Sequence, residues 1–148
     1  MGISYRLTLA GEIPPRDVVE VAAPDATEAR TPAGNQLFSS ARYEESGYLM
    51  NVSSGSNGYY DAEDDDGYWE WEPAEYVNIS FDMGKDDEAV EGVTNMVTAV
   101  ARVLADRPED AALVLNGNWL LLTRVAGTLR RHRAQWWAHY GVDGLIPW

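Results

Sequence analysis

Polar and apolar positions alternate from the start of the chain. Ile3, Tyr5, Leu7 and Leu9 fall on one side of an extended segment, and Ser4, Arg6 and Thr8 on the other. A period of two predicts a half-buried strand. Gly11, Pro14 and Pro15 interrupt it. Pro15 suits the first turn of a short helix, where Asp17 favours the positive end of the dipole and Val18, Val19 and Ala22 form an apolar stripe before Pro24. Residues 25–35, with Pro32, Gly34 and Asn35, read as loop. Residues 36–42 and 48–53 flank a Glu44-Glu45-Ser46-Gly47 turn and read as a hairpin. Alternation returns with Val77, Ile79, Phe81 and Met83 set against Asn78, Ser80 and Asp82.

Asp86-Asp87-Glu88 opens the strongest helical pattern. Val90, Val93, Val97, Val100, Ala101 and Leu104 recur every three or four residues, Arg102 and Arg107 suit the negative end of the dipole, and Pro108 ends the run. The C-terminal third predicts an antiparallel meander. Residues 111–115 and 119–125 flank Asn116-Gly117, a dipeptide that accepts the positive φ angles of a tight turn, and Ala126-Gly127 turns the chain into 128–133. Residues 119–122 are apolar on both faces, which predicts a central strand. The tail from Ala134 holds three of the six tryptophans and is expected to pack back on the domain. The pattern predicts an α+β fold over residues 1–148 as a single domain. Its order is β-α-β-β-(acidic loop)-β-α-β-β-β, a mainly antiparallel sheet with two helices on one face.

Residues 54–75 follow neither period and are expected to form a long surface excursion. Charge makes this stretch stand out. The 148 residues carry 24 acidic and 11 basic groups, a net charge of −13. Residues 44–91 hold fifteen acids and one base, against five and four before them and four and six after, so the whole excess sits in the middle third. Such a chain repels phosphate backbones, which argues against nucleic acid as a partner. An acidic surface also keeps proteins apart in solution, and solubility alone would account for it. A sharper reading takes in the rings. Tyr59, Tyr60, Tyr68, Trp69 and Trp71 are threaded among Asp61, Glu63, Asp64, Asp65, Asp66, Glu70 and Glu72. Aromatics supply desolvated contact area and acids supply complementarity to a basic partner, the composition of an interface. These twelve residues are the candidate partner-binding site.

Other chemistries fit less well. An EF-hand beginning at Asp61 would place Glu63, Asp65 and Glu72 at ligand positions, but Asp66 stands where the obligatory glycine belongs, and Gly67 comes one place late. A divalent-cation-binding or regulatory domain using the same carboxylates is the alternative reading. His132 and His139 are the only histidines, with Asp143 the nearest acid in sequence, and no HExxH spacing, Walker A sequence or nucleophile elbow is present. No catalytic residue, metal or cofactor is therefore assigned. Arg124, Arg130, Arg131 and Arg133 form a basic stripe, expected to pair with the acidic excursion or to lie in solvent. Cysteine is absent, which removes thiol chemistry and disulfides. The opening lacks the continuous apolar stretch of a secretory signal, Arg6 stands where a myristoylation pattern needs Ser or Thr, and no apolar run approaches a bilayer span. The expected location is the cytoplasm, without membrane contact.

The order of features resembles the immunity proteins of bacterial swarming-inhibition toxins, the SitI family. The resemblance rests on the opening ISYRLTLAG (3–11), the strand YVNISFDM (76–83), VARVLADRPEDAALVLNG (100–117), WLLLTRVAGTLR (119–130) and the tryptophans that follow, about half the chain with the acidic excursion left out. It implies a non-catalytic protein of a polymorphic-toxin system that neutralises a cognate toxin by direct binding. Partner choice would then lie in the acidic, aromatic stretch, facing a toxin with a basic active-site surface.

Overall fold

A computed structural model describes residues 2–84 and 89–148. Strand β1 (Ser4–Ala10) sits near the middle of a large sheet and is followed by helix α1 (Pro15–Ala22). Strands β2 (Thr27–Arg30), β3 (Gln36–Arg42), β4 (Tyr48–Ser56), β5 (Tyr60–Asp64), β6 (Gly67–Trp71) and β7 (Glu75–Met83) come next. Helix α2 (Ala89–Asp106), strands β8 (Ala111–Leu115), β9 (Trp119–Val125) and β10 (Thr128–Arg131), and helix α3 (Ala134–Tyr140) complete the chain, with a 3₁₀ turn at Asp143–Leu145. The strand order is β2-β3-β4-β7-β1-β8-β9-β5-β6, with β10 paired to β9. Pairing is antiparallel except where β5 meets β9, a parallel bridge at Glu63 and Trp119. No helix among the described residues is long and apolar enough to cross a membrane.

Strand alternation divides the molecule into two layers of packing. Tyr5, Leu7 and Leu9 of β1, Val77, Ile79 and Phe81 of β7, and Tyr48, Met50 and Val52 of β4 meet the helices on one face. There they pack with Val18 and Val19 of α1, with Val93, Met96, Val97, Val100, Val103 and Leu104 of α2, and with Trp136 and Trp137 of α3. On the other face a smaller cluster forms from Ala62, Ala112, Val114 and Leu120, with Trp69 and Trp71 against it. A bulge joins the two. Leu113 pairs with Leu122 and Val114 with Leu120, leaving Leu121 as the extra residue. Leu121 and Leu122 therefore both join the helix-side core, while Leu120 serves the smaller one. This is the physical content of the doubly apolar strand expected at 119–122.

Several expectations need correction. Residues 27–30 form an edge strand rather than loop. All four are exposed, so no apolar alternation marks them, and backbone pairing to β3 holds them. The stretch at 54–75 is not an unstructured excursion. It completes β4 and then folds as the β5–β6 hairpin; together with β2 this makes ten strands among the described residues in place of seven. Among the described residues three α-helices, not two, cover the helix face, because the tryptophan-rich tail forms α3. The expected helix opening at Asp86-Asp87-Glu88 lies outside the described residues. Val90 is 62% exposed and is not part of the buried stripe, which Met96 and Val103 share instead. Ile3 lies at the surface just before β1. Glycine is required where the β3–β4 turn meets α2: a Cβ on Gly47, whose φ is +88°, would stand 2.9 Å from the Gly92 backbone.

Candidate functional site

The twelve acidic and aromatic candidates all lie on or beside the β5–β6 hairpin, and pairing across it sorts them. Tyr60 lies opposite Trp71, Ala62 opposite Trp69, Asp61 opposite Glu70 and Glu63 opposite Tyr68. Because successive side chains point to opposite faces, Tyr60, Trp69 and Trp71 turn toward the sheet, and Asp61, Glu63, Tyr68 and Glu70 turn away from it. The inner set is half-buried. Trp69 and Trp71 pack on Ala112, Val114 and Leu120, and Tyr60 meets Trp71 and Tyr76 with ring centroids 6.3 and 5.6 Å apart. On the outer side Glu63, Tyr68 and Glu70 are exposed and Asp61 is half-buried, with exposed Tyr59 and Glu72 flanking them and Asp65 and Asp66 exposed at the turn.

The outer face is knit by phenol–carboxylate bonds. Tyr59 Oη donates to Glu70 at 2.9 Å and Tyr68 Oη donates to Asp61. These acceptors raise both phenol pKa values above the ordinary range, so the rings stay neutral donors. Asp61 and Glu70 nonetheless face each other across the strands, a like-charge pair that costs stability. At the turn, Asp64 accepts from the Asp66 backbone N–H at 2.9 Å.

Arg133 moors the hairpin to the body. It holds a left-handed φ of 58° at the start of α3. Its backbone N–H donates to Asp65 at 2.8 Å, its guanidinium lies 4.5 Å from the Trp119 ring centre and 3.8 Å from the Glu63 carboxylate. Arg130 reaches Asp66 at 3.9 Å. The expected pairing of stripe and acids thus holds for these two arginines. Their partners stay open to water, with 63% of the Glu63 and 86% of the Asp66 side chain exposed, and such contacts contribute little to stability. Arg131 pairs instead with Asp143. Arg124 lies buried on the helix side, bonded to the end of α2, and does not belong to the stripe.

Between the hairpin and the end of β9 lies a cavity of about 280 Å³ lined by Asp64, Trp69, Thr123, Val125, Thr128, Arg130 and His132. His132 is only 4% exposed and contacts the Thr123 hydroxyl through Nε2 at 3.1 Å, whereas His139 is exposed. Burial, helped by Arg130 and Arg133, lowers the His132 pKa against the opposing pull of Asp65 and Asp64. The unfolded chain therefore binds a proton more readily than the folded one just below the ordinary value of 6.5. Stability is full above that pH and declines as pH falls toward the depressed folded value. His132→Gln is expected to flatten this part of a pH series of denaturation midpoints. Decline below about pH 4.5, where Arg107 holds Glu109 low, should be unaffected.

The residues of the calcium-loop pattern sit within or just beyond the hairpin, Asp61 and Glu63 on β5, Asp65 at the turn and Glu72 after β6. Among the described residues no group of three or more His, Asp or Glu side chains is placed to hold a metal ion. Sequence reasoning allowed Arg133 to pair with the acidic stretch but missed that its backbone N–H joins in the mooring, and it missed the division of the rings into two sets. The alternation Tyr60, Ala62 and then Trp69, Trp71 was the available signal, obscured by the outward ring of Tyr68 and by strands only five residues long.

A family model described as SitI3-like matches residues 3–141. The chain belongs to the SitI3-like family. The matched range spans the acidic hairpin. No curated protein and no solved structure matches the chain.

Proposed function

We propose that this SitI3-like chain is an immunity protein that neutralises a cognate bacterial toxin by direct, non-catalytic binding, with the outer face of the β5–β6 hairpin as its contact surface. The observation that carries the reading is the sorting of that hairpin. Its rings Tyr60, Trp69 and Trp71 secure it to the sheet, while Asp61, Glu63, Glu70, Tyr59 and Tyr68 are presented together on the side away from it. Opposed like charges at Asp61 and Glu70 weaken the isolated hairpin and are relieved by a basic partner. Inner-face Tyr60, Trp69 and Trp71, and Asp64 beside the cavity, would act by holding the presenting strands in place.

The toxin is to be captured from lysate of the producing cells on the immobilised chain, identified, and expressed in a test host with and without this protein. Rescue of growth by a stoichiometric complex is the expected result, and toxicity that persists despite expression would refute the reading. Replacing Asp61, Asp64, Asp65 and Asp66 together with Asn tests the surface. Asn keeps an oxygen acceptor for the Asp66 and Arg133 backbone N–H groups, so the melting temperature should barely move. Association at low salt should slow about tenfold, and an unchanged rate would place the contact elsewhere.

A further inference from the structure

The sheet face opposite the helices is covered by the hairpin only in part. Over β3, β4, β7 and β1 it presents small uncharged polar side chains in register. Ser39, Asn51 and Ser80 lead across the strands to Arg6, and the next row runs Ser53, Asn78, Thr8. Ser39 is bonded to Asn51, and Thr8 and Tyr60 to Asn78, so these groups largely satisfy one another. Asp82 and Arg6 are the only charged residues of β1, β3, β4 and β7 on this side, a nearly neutral window in a chain of net charge −13.

Arg6 is the exception to that satisfaction. It is half-buried, and its guanidinium lies 4.5 Å from the centre of the Tyr60 ring. Its Nε is buried with no hydrogen-bond partner, and among the described residues its guanidinium joins no ion pair. In a protein with 24 carboxylate side chains, an arginine held over a ring with no carboxylate partner among the described residues is an unfilled receptor. The Tyr60 ring covers one side of the guanidinium and Nε is buried, which leaves the terminal Nη1/Nη2 edge, able to bind a planar oxyanion through two parallel bonds.

We propose that Arg6, stacked on Tyr60, is the seat for a carboxylate side chain of a protein partner that docks on the open sheet face. The chain's overall charge repels polyphosphates far more strongly than a monovalent carboxylate. A carboxylate arriving on an otherwise basic protein surface meets no such barrier. That occupant rests on the toxin reading above, and it gives the partner a second contact, of opposite sign to the acidic hairpin.

The seat is tested on the full ¹⁵N-labelled chain by following arginine Nε–Hε resonances during titration with sodium acetate, with sodium chloride at matched ionic strength, and with inorganic phosphate. A saturable shift of the Arg6 resonance with acetate, absent with chloride, is expected. No shift, or equal shifts with acetate and chloride, overturns the seat, and a stronger response to phosphate overturns its assignment to a carboxylate. Arg6→Lys keeps a cation on the ring but loses the two-pronged edge, so it should leave the melting temperature nearly unchanged and abolish the acetate response of neighbouring β1 and β7 amides. Against the captured toxin, Arg6→Lys should raise the Kd about tenfold or more. An unchanged Kd overturns the docking proposal and leaves the toxin reading intact. Failure to capture any toxin defeats that reading, while the acetate titration still decides the seat.

Discussion

Replacing Arg124 with methionine is expected to destabilise the fold by about 3–5 kcal/mol, although the residue touches no part of the candidate interface. Arg124 is 6% exposed, and its guanidinium donates to three backbone carbonyls: Leu104 at 2.7 Å, Arg107 at 2.6 Å and Glu109 at 2.8 Å. Two lie just beyond the end of α2 and one in its last turn, where helix carbonyls have no partner of their own and the dipole is negative. A cation from a neighbouring strand thus closes the helix. Burial lowers the Arg124 pKa, with Glu109 and Asp110 opposing that shift. Methionine fills similar volume but leaves all three carbonyls unmatched. Lysine restores the charge yet cannot reach three acceptors, so it should recover only part of the loss. Urea midpoints of the three proteins at constant m-value check the order, and a methionine variant within 1 kcal/mol of the parent would remove this account of the helix end.

That cap shows where sequence reading stops. The dipole argument assigned Arg102 and Arg107 to the end of α2, but Arg102 is exposed and Arg107 is paired with Glu109 at 2.6 Å. The group that caps the helix comes from β9, some twenty residues on, and no local spacing announces it. Elements with a buried face were legible because burial writes itself into the residues, as alternation in β1, β3, β4 and β7 and as apolar runs on either side of a turn in β8 and β9. β2 was not, because neither of its faces is buried; it is held by backbone pairing to β3 and by exposed contacts of Glu28 with Arg16 and Gln36.

For the hairpin, composition was legible and geometry was not. The acids and rings at 59–72 could be singled out as a group, but which rings face the sheet depends on whether residue 60 or 61 points inward. A shift of one residue inverts both sets. That register is set by the Asp64–Gly67 turn, by the bridge from Glu63 to Trp119 and by the Arg133 contacts, two of them far away in the chain. Arg6 illustrates the same limit. It reads as an ordinary outward residue of an alternating strand, and only the arrival of Tyr60 above it makes it a stacked, unpaired cation.

The second large effect is expected at Trp137, whose replacement by alanine should cost about 3–5 kcal/mol. Its side chain is fully buried and meets the rings of Trp136 and Trp148 edge-on, each at a centroid distance of 4.9 Å. Its indole N–H donates to the carbonyls of Leu121 at 3.1 Å and His132 at 3.0 Å. Leu121 is the bulge residue of β9, so the ladder to β8 skips it, and its carbonyl also accepts from the His132 backbone N–H at 3.0 Å. Trp137 therefore ties the bulge to the segment that carries Arg133, the mooring of the acidic hairpin. Alanine removes both the packing and the tie, whereas phenylalanine keeps most of the ring and loses only the donor, so its cost should be nearer 1–3 kcal/mol. The two variants separate packing from positioning. If the tie positions the mooring, Trp137→Phe will increase amide exchange across Gly67–Trp71 more than across β1 and β7. Uniform acceleration in proportion to lost stability would instead show that Trp137 supports the core alone, leaving the hairpin to be held by Arg133 and its own inward rings.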